Sequence, residues 1–105
     1  MEKKIMLAAH RGYSAVYPEN TMLAFREALK LDIDMIETDV HMTRDGVLVL
    51  MHDHLMDRTS DMTGPIVDYT YAELEKADMG SWKDARFKGE KIPKLSELLD
   101  LQIGR

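Results

Sequence analysis

The sequence predicts an α/β fold built on a parallel sheet, and three observations predict it. Residues 5–9 form a short apolar run of the kind that suits a strand buried on both faces. Met22, Phe25 and Leu29 then recur at helical spacing, to about Leu31, behind a capping candidate at Asn20 or Thr21. Residues 35–42 read as a second strand. Strand, helix, strand within some forty residues is the βαβ unit.

The first loop, residues 11–18, contains Gly12 and ends at Pro18. Residues 47–51 are a third strand-like run, and the gap before them is too short for a parallel crossover. An antiparallel hairpin turning at Asp45-Gly46 is therefore expected. Residues 53–93 are polar and irregular, with one helix starting at the capping box Thr70-x-x-Glu73, where Leu74 and Ala77 form the apolar side. Pro93 precedes a last short helix, Leu95-Ser96-Glu97-Leu98-Leu99. Trp82 and Phe87 are expected to pack beneath a loop, and the nine methionines to fill an irregular core.

The chain of 105 residues suits one small domain, and its 45% hydrophobic and 31% charged residues are ordinary for a globular protein. The net charge of -5, with both signs interleaved, argues against nucleic acid, which needs a basic stripe. The lack of cysteine rules out disulfide and thiol chemistry. The apolar stretch at residues 5–9 is shorter than the ~7–15 of a secretory signal core. No run approaches the ~18 residues of a membrane span, so a soluble cytoplasmic protein is expected.

Four places carry the chemistry: His10-Arg11-Gly12, Pro18-Glu19-Asn20-Thr21, Glu37-x-Asp39 and His52-Asp53. Two proton carriers, a fixed cation and a carboxylate pair are what cleavage of a phosphate ester by a metal-assisted route requires. His10 and Arg11 end the first strand, and the carboxyl edge of a parallel sheet is where ligands bind. Arg11 can hold two phosphate oxygens through its planar fork. Its competing role is an ion pair with Glu19 or with the carboxylates. For His10 the competing role is a ring bonded to backbone.

On one strand face Glu37 and Asp39 stand together, either as an ordinary solvated face or as hard-oxygen ligands for Mg²⁺ or Ca²⁺. A two-residue turn at Asp45-Gly46 would set Asp39 opposite His52 and gather Glu37, Asp39 and His52 on that face. A three-residue loop would instead pair Asp39 with Met51 and turn His52 away. Two histidines flanking one phosphorus would act as base and acid. His41 and His54 are left without a role.

With these residues in place, the chain resembles the amino-terminal part of the glycerophosphodiester phosphodiesterase family. His10-Arg11-Gly12, Pro18-Glu19-Asn20-Thr21 through Ala24-Phe25, Glu37-Thr38-Asp39-Val40 with Thr43-Arg44-Asp45-Gly46, and His52-Asp53 with Asp57-Arg58-Thr59 carry the resemblance. Gly80-Ser81-Trp82 and Ile92-Pro93-x-Leu95 add to it, so that it runs from about Leu7 to Leu99. It implies a partial TIM (β/α) barrel, the first strands and helices, with residues 55–91 as a small inserted segment in a single unit spanning 1–105. It implies hydrolysis of glycerophosphodiesters to glycerol 3-phosphate and an alcohol. His10 and His52 become the acid/base pair, Arg11 the phosphate ligand, Glu37 and Asp39 the ligands of Mg²⁺ or Ca²⁺, and Asn20 a shaper of the loop.

A full barrel needs ~250 residues. The resemblance implies that the family's third acidic ligand and its phosphate-binding lysine are missing with the remaining strands, and Gln102-Ile103-Gly104-Arg105 lies where a further barrel strand is expected. An inactive fragment or assembly module is the alternative, and a sphingomyelinase D-like phospholipid phosphodiesterase a third. Unpaired strand edges predict a homo-oligomer.

Overall fold

The computed structural model describes residues 7–103. Ile5 and Met6 of the first predicted strand, and Gly104 and Arg105, lie outside the described residues. β1 (Ala8–His10) and β2 (Met35–Glu37) pair in parallel, with Ala8, Ala9 and His10 opposite Met35, Ile36 and Glu37. α1 (Met22–Leu29) is the crossover between them, which completes the expected βαβ unit. Thr21 is its N-cap, its side chain accepting from the Ala24 amide while its hydroxyl donates to the Pro18 carbonyl.

The predicted second strand divides at Thr38 and Asp39. Beyond the break, β3 (Val40–Met42) leaves the parallel pair and joins β4 (Leu48–Leu50) in a separate antiparallel pair. The Thr38 hydroxyl donates to Asn20 Oδ1 at 2.7 Å, tying the break to the first loop instead of to a neighbouring strand.

The hairpin register also differs from the two-residue expectation. Val40 faces Leu50, His41 faces Val49 and Met42 faces Leu48, so the ladder continues to Thr43 with Val47 and to Asp39 with Met51. The loop is therefore three residues, Arg44, Asp45 and Gly46. A two-residue type I′ turn needs positive φ at both central positions, and among the described residues only Arg11, Asn20 and four glycines have it. Asp45 does not, whereas Gly46 does at φ 83°. The Asp45 carboxylate instead accepts from the Thr43 hydroxyl and the Tyr71 amide, which locks the longer loop.

β4 is a wall shared by two apolar clusters, because successive side chains point to opposite faces. Leu50 joins Phe25 of α1 and Leu98 of α3 (Leu95–Ile103) on one side. Val49 joins Met51, Met56, Ile66, Leu74, Ala77, Met79 and Ile92 on the other. Three of the nine methionines thus sit in that second core, as expected of flexible gap-fillers, while Met35 and Met42 are exposed.

The capping box forms as read, with Thr70 and Glu73 bonded reciprocally ahead of the short α2 (Tyr71–Leu74). Phe87 is buried under a loop, and Gly80 lies so close to it that a Cβ there would stand 1.8 Å from the Phe87 carbonyl oxygen. Gln102 and Ile103 continue α3 and are not strand.

Candidate active site

The site residues collect at the carboxyl end of the parallel pair. His10 is the last residue of β1 and lies directly across from Glu37, the last of β2, so both side chains leave the same face. The His10 ring reaches Glu37 Oε2 through Nε2 at 2.6 Å. Because an ionised carboxylate only accepts, that nitrogen carries a proton. Glu37 therefore meets His10, not His52.

The chain leaves β1 through a tight loop. The Arg11 amide donates to the Glu37 carbonyl at 2.7 Å, and the Asn20 amide donates to the Arg11 carbonyl at 2.9 Å. Arg11 and Asn20 both hold left-handed backbone, φ 58° and 56°. Asparagine tolerates this region and arginine much less, so strain of ~1–3 kcal/mol is stored next to the candidate site. Gly12, at φ 79°, permits the loop to press on α1, where a Cβ would stand 2.8 Å from the Ala24 carbonyl carbon.

Arg11 faces two carboxylates. Its Nη1 donates to Glu19 Oε2 at 3.3 Å, and its Nε stands 3.7 Å from Asp39 Oδ2, an ion pair too long for a hydrogen bond. Both competing partners read from the sequence are thus present. Among the described residues, Arg11 Nε, Asn20 Nδ2 and Asp39 Oδ2 are buried without a hydrogen-bond partner. Two donors and one acceptor left open in one place are costly unless a ligand meets them.

His52 sits elsewhere than the two-residue turn required, since Met51 and not His52 opposes Asp39. Its Nδ1 meets Asp53 Oδ1 at 2.8 Å, and its backbone carbonyl accepts from His41 Nε2 at 3.0 Å. Arg58, which sequence reasoning gave no role, donates to both oxygens of Asp53 and both of Glu19 at 2.9–3.0 Å. The Arg58 hydrogen bonds hold the Asp53 carboxyl far below the ordinary carboxylate range; burial, the next largest influence, acts upward, and the His52 bond with the charges of Arg58 and His52 adds to the lowering. For Glu19 burial is the largest single influence and acts upward. The Arg58 bonds and the charges of Arg58 and Arg11 together outweigh it, and the net shift is downward.

The donor chemistry fits a hard divalent cation. Asp39 Oδ2 is buried without a hydrogen-bond partner, 3.7 Å from Arg11 Nε, and Glu37 pairs, among the described residues, with an exposed histidine. Two carboxylates supply part of the roughly six to eight oxygens that Ca²⁺ takes. Among the described residues, no three His, Cys, Asp or Glu side chains are grouped so as to hold a metal ion. The structure thus brings His10 to Glu37 and Arg11 to Asp39, and joins His52 to Arg11 only at a distance, through Asp53, Arg58 and Glu19. The His54 carbonyl accepts from the Ile66 amide. Lys83 and Phe87 fasten residues 55–91 onto the first loop, through the Ser14 carbonyl and the Tyr17 ring. No helix among the described residues is long and apolar enough to cross a membrane.

Fold and site together define an α/β chain of the barrel type with its polar residues gathered at the strand ends. The model of the glycerophosphoryl diester phosphodiesterase family matches residues 10–104, and the chain belongs to that family. It is 45% identical over 98 residues to a glycerophosphodiester phosphodiesterase of Caldanaerobacter subterraneus subsp. tengcongensis, covering 93% of this chain and 40% of the relative. A Bacillus subtilis glycerophosphodiester phosphodiesterase is 41% identical over 105 residues, 92% of this chain and 36% of that one.

Among solved structures, the glycerophosphodiester phosphodiesterase of Agrobacterium tumefaciens superposes with a TM-score of 0.90 at 40% identity, over 94% of this chain and 43% of that one. A phosphodiesterase of Oleispira antarctica, in complex with the product sn-glycerol-3-phosphate, superposes at 0.87 and 38% identity, over 91% and 39%. The chain thus spans 36–40% of these two curated relatives. The expectation of a partial TIM barrel stands.

Proposed function

We propose that this chain carries part of the active site of a metal-dependent hydrolase that cleaves glycerophosphodiesters to glycerol 3-phosphate and an alcohol. The observation that supports it best is the juxtaposition of His10 with Glu37 and of Arg11 with Asp39 at one sheet edge, where Arg11 Nε and Asp39 Oδ2 are buried without a hydrogen-bond partner. In this reading Arg11 binds phosphate oxygens, its Nε being the open donor. Glu37 and Asp39 hold Mg²⁺ or Ca²⁺, which when bound offsets phosphate charge.

His10 and His52 divide the proton work. One takes a proton from the attacking oxygen, water or the glycerol 2-hydroxyl, as the new bond to phosphorus forms. The other gives a proton to the departing alkoxide as the old phosphorus–oxygen bond breaks. Residues 55–91 form the inserted segment, which the separate methionine-rich core supports. The setting is cytoplasmic.

Glycerophosphocholine hydrolysis with Mg²⁺ or Ca²⁺ tests this, in the protein of which these residues are all or part. His10→Ala and His52→Ala are each expected to lower kcat/KM by ~10²–10⁴. A loss below tenfold for either removes that histidine from the reaction. The share of the relatives that the chain spans supports a second expectation, that these 105 residues alone turn over little substrate. Alone they should also associate, because Leu7, Met35, Val40, Met42 and Leu48 are exposed on or beside the strands. Light scattering showing a monodisperse monomer at micromolar concentration contradicts that.

A further inference from the structure

We infer that Arg58 is a positioning residue which, through a Glu19–Arg58–Asp53 clamp, fixes the Nδ1–H tautomer of His52 and the placement of Arg11 as one unit. The inference rests on the proposed function only for its catalytic consequence; the geometry stands apart from it. Arg58 donates in pairs to two carboxylates, with Nη1 and Nη2 on Glu19 at 2.9 and 3.0 Å, and Nε and Nη2 on Asp53 at 3.0 Å each. Such fork-to-carboxylate pairing sets orientation as well as distance.

From there the chain runs both ways. Glu19 Oε2 also receives Arg11 Nη1, and Asp53 Oδ1 also receives His52 Nδ1. Charges alternate from Asp39 through Arg11, Glu19 and Arg58 to Asp53, ending on the His52 ring. A single exposed ion pair contributes little. Here the Glu19 side chain is only 9% exposed, and Arg58 joins it across 39 residues of sequence, so the clamp fastens the first loop to the segment after β4.

The chemical consequence concerns which ring nitrogen is free. Asp53 is ionised and can only accept, so His52 Nδ1 must hold the proton and Nε2 is left to face a reacting group. His41 supports the same residue from behind by donating to its backbone carbonyl. Remove the guanidinium, and Glu19 and Asp53 lose the cation they share, while Glu19 keeps Arg11 and Asp53 keeps His52. Asp53 is then no longer held in place, and an unrestrained neutral imidazole favours the Nε2–H form.

Long-range ¹⁵N–¹H spectra of the histidine rings in this chain, recorded where the imidazoles are neutral, test the clamp. The expected result is Nδ1–H for His52 in the natural sequence, a change towards Nε2–H in Arg58→Gln, and partial recovery in Arg58→Lys, which cannot fork. His54 should not change in any of these. Should Arg58→Gln fail to fold, Glu19→Gln breaks the same clamp from its other end and must shift His52 in the same direction. A His52 already in the Nε2–H form, or one unmoved by a folded Arg58→Gln, overturns the inference. Full activity in His52→Ala would defeat the catalytic reading and leave the tautomer result untouched. If both hold, Arg58→Gln lowers kcat/KM by ~10–100-fold, the scale of supporting residues around a reaction centre.

Discussion

His10 and His52 stand on two arms of the candidate site and are held in different ways. The His10 side chain is 61% exposed, and among the described residues its ring is paired with Glu37, a carboxylate proposed to serve a cation. The His52 side chain is 44% exposed, yet its partner Asp53 is gripped by Arg58, which also grips Glu19. One histidine thus has a partner with a proposed cation of its own, and the other a partner already held by Arg58. In the proposed function, the first would be released when a cation draws Glu37 away. The second is set before anything binds.

The largest expected effect falls first on the arm that carries His10. Gly12→Ala forces a side chain into left-handed backbone and onto the Ala24 backbone, and should cost ~2–4 kcal/mol in urea unfolding. In the folded fraction the His10 resonances should move while the Nδ1–H signal of His52 persists. Loss of both signals together would mean that the two arms are a single unit.

A smaller effect belongs to the second arm and appears in acid. Glu19 and Asp53 have folded values below their unfolded ones. Their contribution is therefore complete above the ordinary carboxylate range, about pH 4, and is withdrawn as pH falls through the depressed folded values. Stability of the natural sequence should fall as pH is lowered beneath about 4, and Arg58→Gln should flatten that fall. The difference should be under about 1 kcal/mol, since the network is partly exposed. Parallel acid curves for the two proteins would separate the depressed carboxyls from Arg58.

The smallest effect is spectroscopic. Adding Mg²⁺ or Ca²⁺ should shift the His10 ring as Glu37 is drawn away, leave His52 nearly still, and do neither in Glu37→Gln. Equal shifts at both rings would erase the distinction between them.

Much of this was legible in the residues. Thr21 and the Thr70–Glu73 box are local signals, because a cap is decided within four residues. His10 and Arg11 could be placed at a strand end because the apolar run stops there. The site's wiring was not legible. The split at Thr38 depends on Asn20, 18 residues away, and the Arg58–Glu19 pair on contacts 39 residues apart. No periodicity encodes such a meeting. The Asp57-Arg58-Thr59 motif marked the family resemblance but gave Arg58 no partner.

By itself the sequence determined the strand–helix–strand order, the caps and the kinds of side chain at each stop, all set by short-range sterics and hydrogen bonding. Only the tertiary structure decided which acid meets which base. A change of one residue in a hairpin loop reverses every side chain beyond it, and here Asp45 kept an ordinary backbone and sent Met51, not His52, to face Asp39.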